Sequence, residues 1–425
     1  MSTIDLESTD FLRPGPIHQD PYPYYEYVRS HGPVWREPQR GVVMVTGFDE
    51  CFEVYTDSNT YSSAALMAGP FAPWPEPLEG DDVTAIIEKH RDLMPLSDQL
   101  VTFDPPKHTE HRALLARLIT PKRLAENEDF LWRLVDRQID TFLKNGKCEF
   151  ISDYANPFAL LGIADLLGVP EELHQEFLES ITHKEAEHEG KDRSQVEHKP
   201  LEYLYRRFTD FIEDRRANPR NDVLTMLASA TFSDGTLPEV KDVMVLASGL
   251  FAAGQETTAR LLGFMFSHIG ENPELQERLR ANRKLLPRFI EECLRLGTPI
   301  QADFRLAKVA TTLGGIGIPA GTSVMVMPAA ANRDPRRFEN PNELDMDRNN
   351  GRRHLAFAAG IHTCAGAPLA RTEARISAER LLDRMKDIRI SDAKHGPAGQ
   401  RRFQYPDTFI LRGLQELHLE YTPVQ

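Results

Sequence analysis

Cysteine is scarce in this chain. Its four, Cys51, Cys148, Cys293 and Cys364, lie far apart with no CxxC spacing. That pattern excludes a zinc ribbon or a thioredoxin-like redox pair, and leaves each sulfur to be judged by its neighbours. Basic charge is also short: 50 Lys and Arg against 64 Asp and Glu leave a net charge of −14, which disfavours general attraction to nucleic acid or an anionic membrane. The apolar run Val243 to Gln255 is thirteen residues, short of the roughly 18 that suggest a membrane span. The opening, MSTIDLESTDFLRPGP, has acids where a secretory signal carries basic residues. The expectation is a cytoplasmic monomer with no nucleic-acid partner and no membrane anchor. Repeats and Ser/Gly-rich linkers are missing too, and the 30 prolines are dispersed, so the reading is one domain over residues 1–425.

Helical apolar spacing is abundant. It predicts helices over Pro23 to His31, Phe48 to Thr56, His108 to Leu118, Leu124 to Asn145, Glu171 to Ile181, Leu201 to Arg216, Val243 to Ile269 and Glu274 to Leu296. Strand signals are few: GVVMVTG around Val42 to Thr46, and the two β-rich arms of LGGIGIPAGTSVMVMP joined by the turn residues Pro319-Ala320-Gly321. A mainly α protein with small accessory sheets follows. Two stretches break the regularity. Tyr61 to Asp104, rich in Pro and aromatics, is long for a plain connection and reads as a functional loop that walls a pocket. Thr182 to Lys199 is almost wholly polar and reads as a solvated loop or lid.

Cys364 stands apart from the other three, which read as small buried hydrophobes. It sits in FAAGIHTCAG, Phe357 to Gly366, before the helical sequence AGAPLARTEARISAERLLDRM with Pro368 in its first turn. Unpaired N–H groups and the helix dipole favour thiolate there. Gly360 and Gly366 permit unusual backbone angles or close approach of a flat ligand. Alone, the loop leaves three roles open: nucleophile, zinc ligand, or axial ligand to haem iron.

The pattern Phe357-x-x-Gly360-x-His362-x-Cys364-x-Gly366 resembles the cysteine-ligand loop of cytochromes P-450, the haem-thiolate monooxygenases, with Ala358 where the family usually has Gly. Further motifs follow in the family's order. AGQETT, Ala253 to Thr258, resembles the acid-alcohol motif of the family's long central helix, which implies proton delivery by Glu256 and Thr257. The Thr257 hydroxyl is also placed to bond the carbonyl of Ala253, four residues back. EECLRLGTP resembles the ExxR motif, implying a structural network of Glu292, Arg295 and Arg348. DPPKHTEHR and DFRLA resemble the segments that supply propionate partners, here His108, Arg112 and Arg305, with His362 completing the set.

The resemblance covers nearly the whole chain. It implies the cytochrome P-450 fold, a large helical domain with small accessory sheets around a buried haem b held by Cys364. It also implies one oxygen atom from O2 inserted into a small to medium hydrophobic substrate: terpenoid, steroid, fatty acyl or aromatic. Electrons would come from a ferredoxin with its NAD(P)H-dependent reductase, docking near Arg112, Arg117, Lys122, Arg123, Arg352 and Arg353. Pocket walls by family position are Met94 and Leu96; Leu246, Gly249, Leu250 and Ala253; Ile300 and Phe304; Thr408 and Phe409. Asp303 reads as a surface or capping residue, or as a reader of a polar substituent. The competing readings are a peroxygenase using H2O2, a non-catalytic haem-binding sensor and, more remotely, a thiol hydrolase.

Overall fold

The computed structural model describes residues 5–117, 119–180 and 199–424, the side chains of 199 and 200 excepted. The expected lid, Thr182 to Lys199, therefore lies outside the described residues except at its final position. Two compact units are woven from alternating segments: Met1–Lys107, Gly263–Cys364 and Arg389–Leu417 form the first; His108–Leu262, Ala365–Ile388 and His418–Gln425 form the second.

The first unit is built around a five-stranded sheet in the order Val34–Arg36, Val43–Val45, Ser323–Val326, Asp303–Ala307, Tyr61–Ser62. Every residue of Val43–Val45 is buried. A β-branched strand paired on both sides belongs at such a place, and it runs parallel to Ser323–Val326 with Val43 opposite Val324. Val45, Val324 and Val326 join Phe48, Cys51 and Tyr55 of helix Phe48–Thr56 in one apolar cluster. The two arms flanking Pro319-Ala320-Gly321 are both strands, but they do not pair with each other. Ile316–Ile318 pairs with Thr311–Leu313, and Ser323–Val326 enters the five-stranded sheet. The turn thus changes sheets; local turn chemistry carries no information on the strand partner.

The predicted helix Glu274 to Leu296 is two helices, Pro273–Ala281 and Leu286–Gly297. Asn282 ends the first, and its side chain accepts the Lys284 N–H of the 3-10 turn Arg283–Leu285. Apolar periodicity continues across that break, which is why spacing alone read one helix. Tyr61 to Asp104 is likewise not an open loop: it holds helix Thr84–His90 and the short 3-10 turns Gly69–Phe71, Arg91–Leu93 and Leu100–Thr102.

The second unit is helical. Pro121–Phe142 buries Phe130, Leu131, Leu134, Val135, Ile139 and Phe142 on one stripe, with Thr120 capping the Arg123 N–H. Asn156–Leu166 has no polar stripe and is buried on nearly every side. Ala367–Arg384 packs among these helices: Tyr154 Oη donates to Ser377 Oγ at 2.7 Å, and Arg375 pairs with Glu128. A three-stranded sheet, Lys147–Glu149, His418–Pro423 and Met385–Ile390, closes the unit's edge. Val240–Glu271 is continuous over 32 residues, and no helix among the described residues is long and apolar enough to cross a membrane.

Candidate functional site

The cysteine loop is shaped by backbone hydrogen bonds. The Cys364 N–H donates to the Phe357 carbonyl at 3.0 Å, and the Thr363 N–H and hydroxyl both reach the Gly360 carbonyl, at 3.1 and 2.8 Å. Ala358 and Gly360 adopt left-handed angles, φ 54° and 69°. Gly360 is required for a second reason: a Cβ there would lie 2.3 Å from the Tyr55 carbonyl of helix Phe48–Thr56. The unusual angle expected of Gly360 is thus present, and its lack of a side chain also serves packing against protein. Gly366, with φ −78° and ψ −1°, is an ordinary helix N-cap, so the unusual angles expected of it are not needed.

Of the four cysteines Cys364 alone is exposed. Burial pushes the thiols of Cys51, Cys148 and Cys293 up, which disfavours thiolate at each. Cys364 stands two residues before the N-cap of helix Ala367–Arg384. Among the described residues no group of three or more His, Cys, Asp or Glu could hold a metal ion. His362 lies in the 3-10 turn Gly360–His362 with Nε2 3.1 Å from Ser63 Oγ. One presented sulfur with cationic groups in the same unit fits haem.

Arg305 lies on strand Asp303–Ala307, whose residues alternate between faces. Asp303 and Arg305 share one face. Arg305 Nη1 donates to Asp303 Oδ1 at 2.7 Å, the Tyr55 hydroxyl donates to Asp303 Oδ2 at 2.7 Å, and the guanidinium lies 5.2 Å from the Tyr55 ring centroid. Desolvation raises the Asp303 carboxyl's pKa against the opposing pull of Arg305 and Tyr55. Asp303 is therefore neither a surface cap nor a free reader of substrate; it holds Arg305. Phe304 points the other way, fully buried in the apolar core with its ring 2.6 Å from where a Gly69 Cβ would be. Strand alternation removes it from any wall that Arg305 faces. Phe409 stacks edge-on against it at 5.8 Å and shares that packing role. Met94 and Thr408 are buried, while Leu96, with φ 58°, and Ile300 are half-buried.

Glu292 and Arg295 are nearly or wholly buried, with two parallel bonds of 2.7 and 2.8 Å. Arg348 Nε is 3.3 Å from Glu292 Oε2, and Arg295 also donates to the carbonyls of Asn332, Pro341 and Glu343. Burial pushes the Glu292 carboxyl up, but the Arg295 and Asp345 N–H donors and the two guanidinium charges outweigh it and hold it below its usual value.

In the second unit the Thr257 hydroxyl donates to the Ala253 carbonyl at 2.8 Å, the bond expected from spacing. The helix continues through it. Glu256 is half-exposed and paired with Arg260 one turn on, a partner the sequence reading did not weigh. Leu246 is buried, Gly249 and Leu250 are half-buried and Ala253 is exposed on the same helix. His108, buried, and Arg112, half-buried, occupy helix Lys107–Ala116 four residues apart. Arg123 is not available for docking: its guanidinium binds Asp165 and the carbonyl of Leu166 at the end of helix Asn156–Leu166. Arg352 is exposed.

Sequence reasoning missed two groups. Glu373 is a buried carboxyl, raised well above the carboxylate range by desolvation, and it excludes a side chain at Gly162, whose Cβ would lie 2.3 Å from Glu373 Oε1. His354 pairs with Glu291 in the interior of the first unit. Both sit at positions where helix or loop patterning reads as ordinary, and only burial distinguishes them.

A family model, Cytochrome P450, matches residues 177–386. Cytochrome P450 144 of Mycobacterium tuberculosis is 33% identical over 405 residues, covering 92% of this chain and 88% of the relative. Among solved structures, substrate-free CYP150A6 of Mycobacterium marinum superposes with a TM-score of 0.93 and 52% identity, covering 99% of this chain and 100% of the other. CYP109E1 from Bacillus megaterium in complex with corticosterone superposes at 0.80 with 27% identity, covering 96% and 100%. The cysteine loop, the buried Glu–Arg–Arg network and these likenesses agree: the chain belongs to the cytochrome P450 family of haem b monooxygenases.

Proposed function

We propose that this P450 inserts one oxygen atom from O2 into a hydrophobic small molecule, a terpenoid, steroid, fatty acyl or aromatic compound, with electrons from a ferredoxin and its NAD(P)H-dependent reductase, and that residues 1–425 act as one haem domain in the cytoplasm. The observation that carries the reading is Cys364, the one exposed cysteine, presented beside a helix N-terminus.

Cys364 Sγ would hold the iron, and Arg305, His362, His108 and Arg112 would donate to the two propionates. Haem, when bound, supplies oxygen activation, and a thiolate ligand favours O–O cleavage. The protein excludes water, orients the substrate and handles protons. With its hydrogen donated to the Ala253 carbonyl, Thr257 Oγ1 keeps its lone pairs open, so it can accept a hydrogen bond from a water and hold that proton carrier in place. Glu256, half-exposed and tied only to a neighbouring guanidinium in the contacts described, can exchange that partner for water and carry protons inward from solvent. Asp303 limits Arg305 to one geometry. The apolar residues Leu246 and Leu250 suit a hydrophobic substrate, and the corticosterone-bound relative supports steroid-sized molecules as the first class to try.

The test is a ligand library screened for the haem spin-state shift that follows displacement of water, followed by turnover with a ferredoxin system. Hydrophobic ligands that shift the spectrum and become oxygenated support the reading. Turnover with H2O2 exceeding that with ferredoxin would overturn the electron source, and a histidine-type Soret band in the reduced carbon monoxide complex would overturn Cys364.

A further inference from the structure

Helix Leu286–Gly297 carries two adjacent buried carboxylates. Neighbours in a helix point about 100° apart, so Glu291 and Glu292 cannot serve the same partner. Glu292 takes Arg295 and Arg348. Glu291 Oε2 lies 3.0 Å from Nε2 of His354, and the pair's side chains are only 4% and 1% exposed. The other ring nitrogen, Nδ1, accepts the Ala356 N–H at 3.2 Å. An imidazole nitrogen that accepts carries no hydrogen, so the hydrogen is on Nε2 and is donated to Glu291. The outer charge on this pair is Arg352, whose Nε is 3.8 Å from Glu291 Oε1.

The relay ends on the backbone that shapes the cysteine loop. Leu355 N–H is fixed by Asn332 Oδ1 at 2.7 Å, Ala356 N–H by His354, and the carbonyl of Phe357, one residue on, accepts the Cys364 N–H at 3.0 Å. Ala358 then takes its left-handed turn. Two successive peptides are thus held by side chains from outside the loop, and the peptide that carries the Phe357 carbonyl is held from its other side, its Ala358 N–H donating to the Leu355 carbonyl at 3.0 Å.

We propose that Glu291 and His354 are positioning residues, a latch that holds the Ala356 peptide so that the Phe357 carbonyl stays aimed at the Cys364 amide and the sulfur stays in place as ligand. The inference rests on the ligation of haem by Cys364 proposed above. Neither residue touches the reacting atoms; they act through the loop.

Two substitutions separate the ends of the relay. In His354→Asn the side-chain oxygen falls near the position of Nδ1 and still accepts the Ala356 N–H, while contact with Glu291 is lost. In His354→Gln the amide nitrogen falls near Nε2 and keeps Glu291, while the Ala356 bond is lost. The experiment follows the reduced carbon monoxide complex of each purified holoprotein, measuring the rate at which its thiolate-type Soret band converts to the thiol type, together with the haem reduction potential. His354→Gln is expected to convert about fivefold faster than the parent, the scale of one buried hydrogen bond, with a shifted potential, and His354→Asn to be rescued to within about twofold. Equal rates for the two variants would overturn the latch, since a residue that merely fills space has no reason to distinguish them. Should His354→Gln yield too little holoprotein, Ala356→Pro, which deletes the same N–H, is expected to convert faster by a similar factor, and a parent-like rate there overturns the proposal equally. A parent protein with no thiolate-type band overturns the ligation and the latch together.

Discussion

Among the helices that carry a glutamate and an arginine one turn apart, two hold pairs of opposite character. Glu292 and Arg295 are 2% and 0% exposed, doubly bonded, joined by Arg348 and tied to three carbonyls. Glu256 and Arg260 are 44% and 10% exposed, with a single contact described between them. A buried ion pair survives only when every remaining donor and acceptor is satisfied, and Arg295 meets that condition. A pair whose carboxylate stays open to solvent is partly screened, and that carboxylate is free to exchange. The first arrangement is a frame; the second suits a carboxylate that must move protons. Spacing alone, i to i+3 or i to i+4, does not tell them apart.

The largest effect is expected from breaking the frame. Arg295→Ala leaves Glu292 buried beside three unpaired carbonyls, and such a loss costs roughly 3–5 kcal/mol. Urea unfolding of any soluble holoprotein should show it, with poor haem incorporation alongside; a parent-like midpoint would refute the structural role. Acid should weaken the same frame. The Glu292 carboxyl is held below its usual 4.5 in the folded state, so its stabilisation is present above the unfolded value and is lost as pH falls through the folded one. The stability of the parent should therefore decline as pH falls below about 4.5, and that part of the decline should be smaller in Glu292→Gln.

The turn proposed to handle protons should fail differently. Thr257→Ala and Glu256→Gln are expected to lower product formed per NAD(P)H by on the order of tenfold to a hundredfold, the scale of a lost proton-transfer group, with oxygen consumption continuing and peroxide released. Unfolding midpoints should stay near the parent's. Product yield that survives both substitutions would remove these residues from proton delivery.

Much of this contrast was legible in the sequence because motif spacing fixes which residues share a helix face. The ExxR helix, the Thr257–Ala253 bond and the isolation of Cys364 were all readable that way. What spacing could not supply was distance along the chain and depth. The Ser323–Val326 strand pairs with Val43–Val45, some 280 residues earlier, and nothing in its own residues names that partner. Asp303 read as polar and therefore superficial, yet Tyr55 and Arg305 satisfy it inside the fold. Phe304 read as a pocket wall from position, and strand alternation turns it into the core. His354 and Glu291 carry no motif that points to each other; their pairing exists only once the loop and the helix are folded together.

A smaller effect concerns the loop to which the frame is linked through Asn332. Ala358 sits at φ 54°, a conformation that costs an L residue about 1 kcal/mol or more and that persists when surrounding structure over-determines it. Glycine at this position would relieve the strain but add freedom to the unfolded chain. The net expectation for Ala358→Gly is a gain of up to about 1 kcal/mol, read as a rise in unfolding midpoint with an unchanged Soret band. A loss of stability would mean that the Ala358 methyl group contributes packing against the apolar cluster it borders that outweighs its strain.

The smallest effect is the one that decides whether the two pairs differ in kind. The Glu256–Arg260 ion pair itself should contribute about 0.5 kcal/mol or less, as pairs one turn apart with a solvent-exposed partner do. A double-mutant cycle of Arg260→Ala with Glu256→Gln should give a coupling energy in the same range. Measured by urea unfolding in low and high salt, that coupling should shrink as salt screens it, whereas a cycle between Glu292 and Arg348 should hold its value because burial shields it. If the Glu256–Arg260 coupling were instead large and insensitive to salt, Glu256 would be locked in place. The carboxylate could then not exchange its guanidinium for water, and proton entry would have to begin at another group.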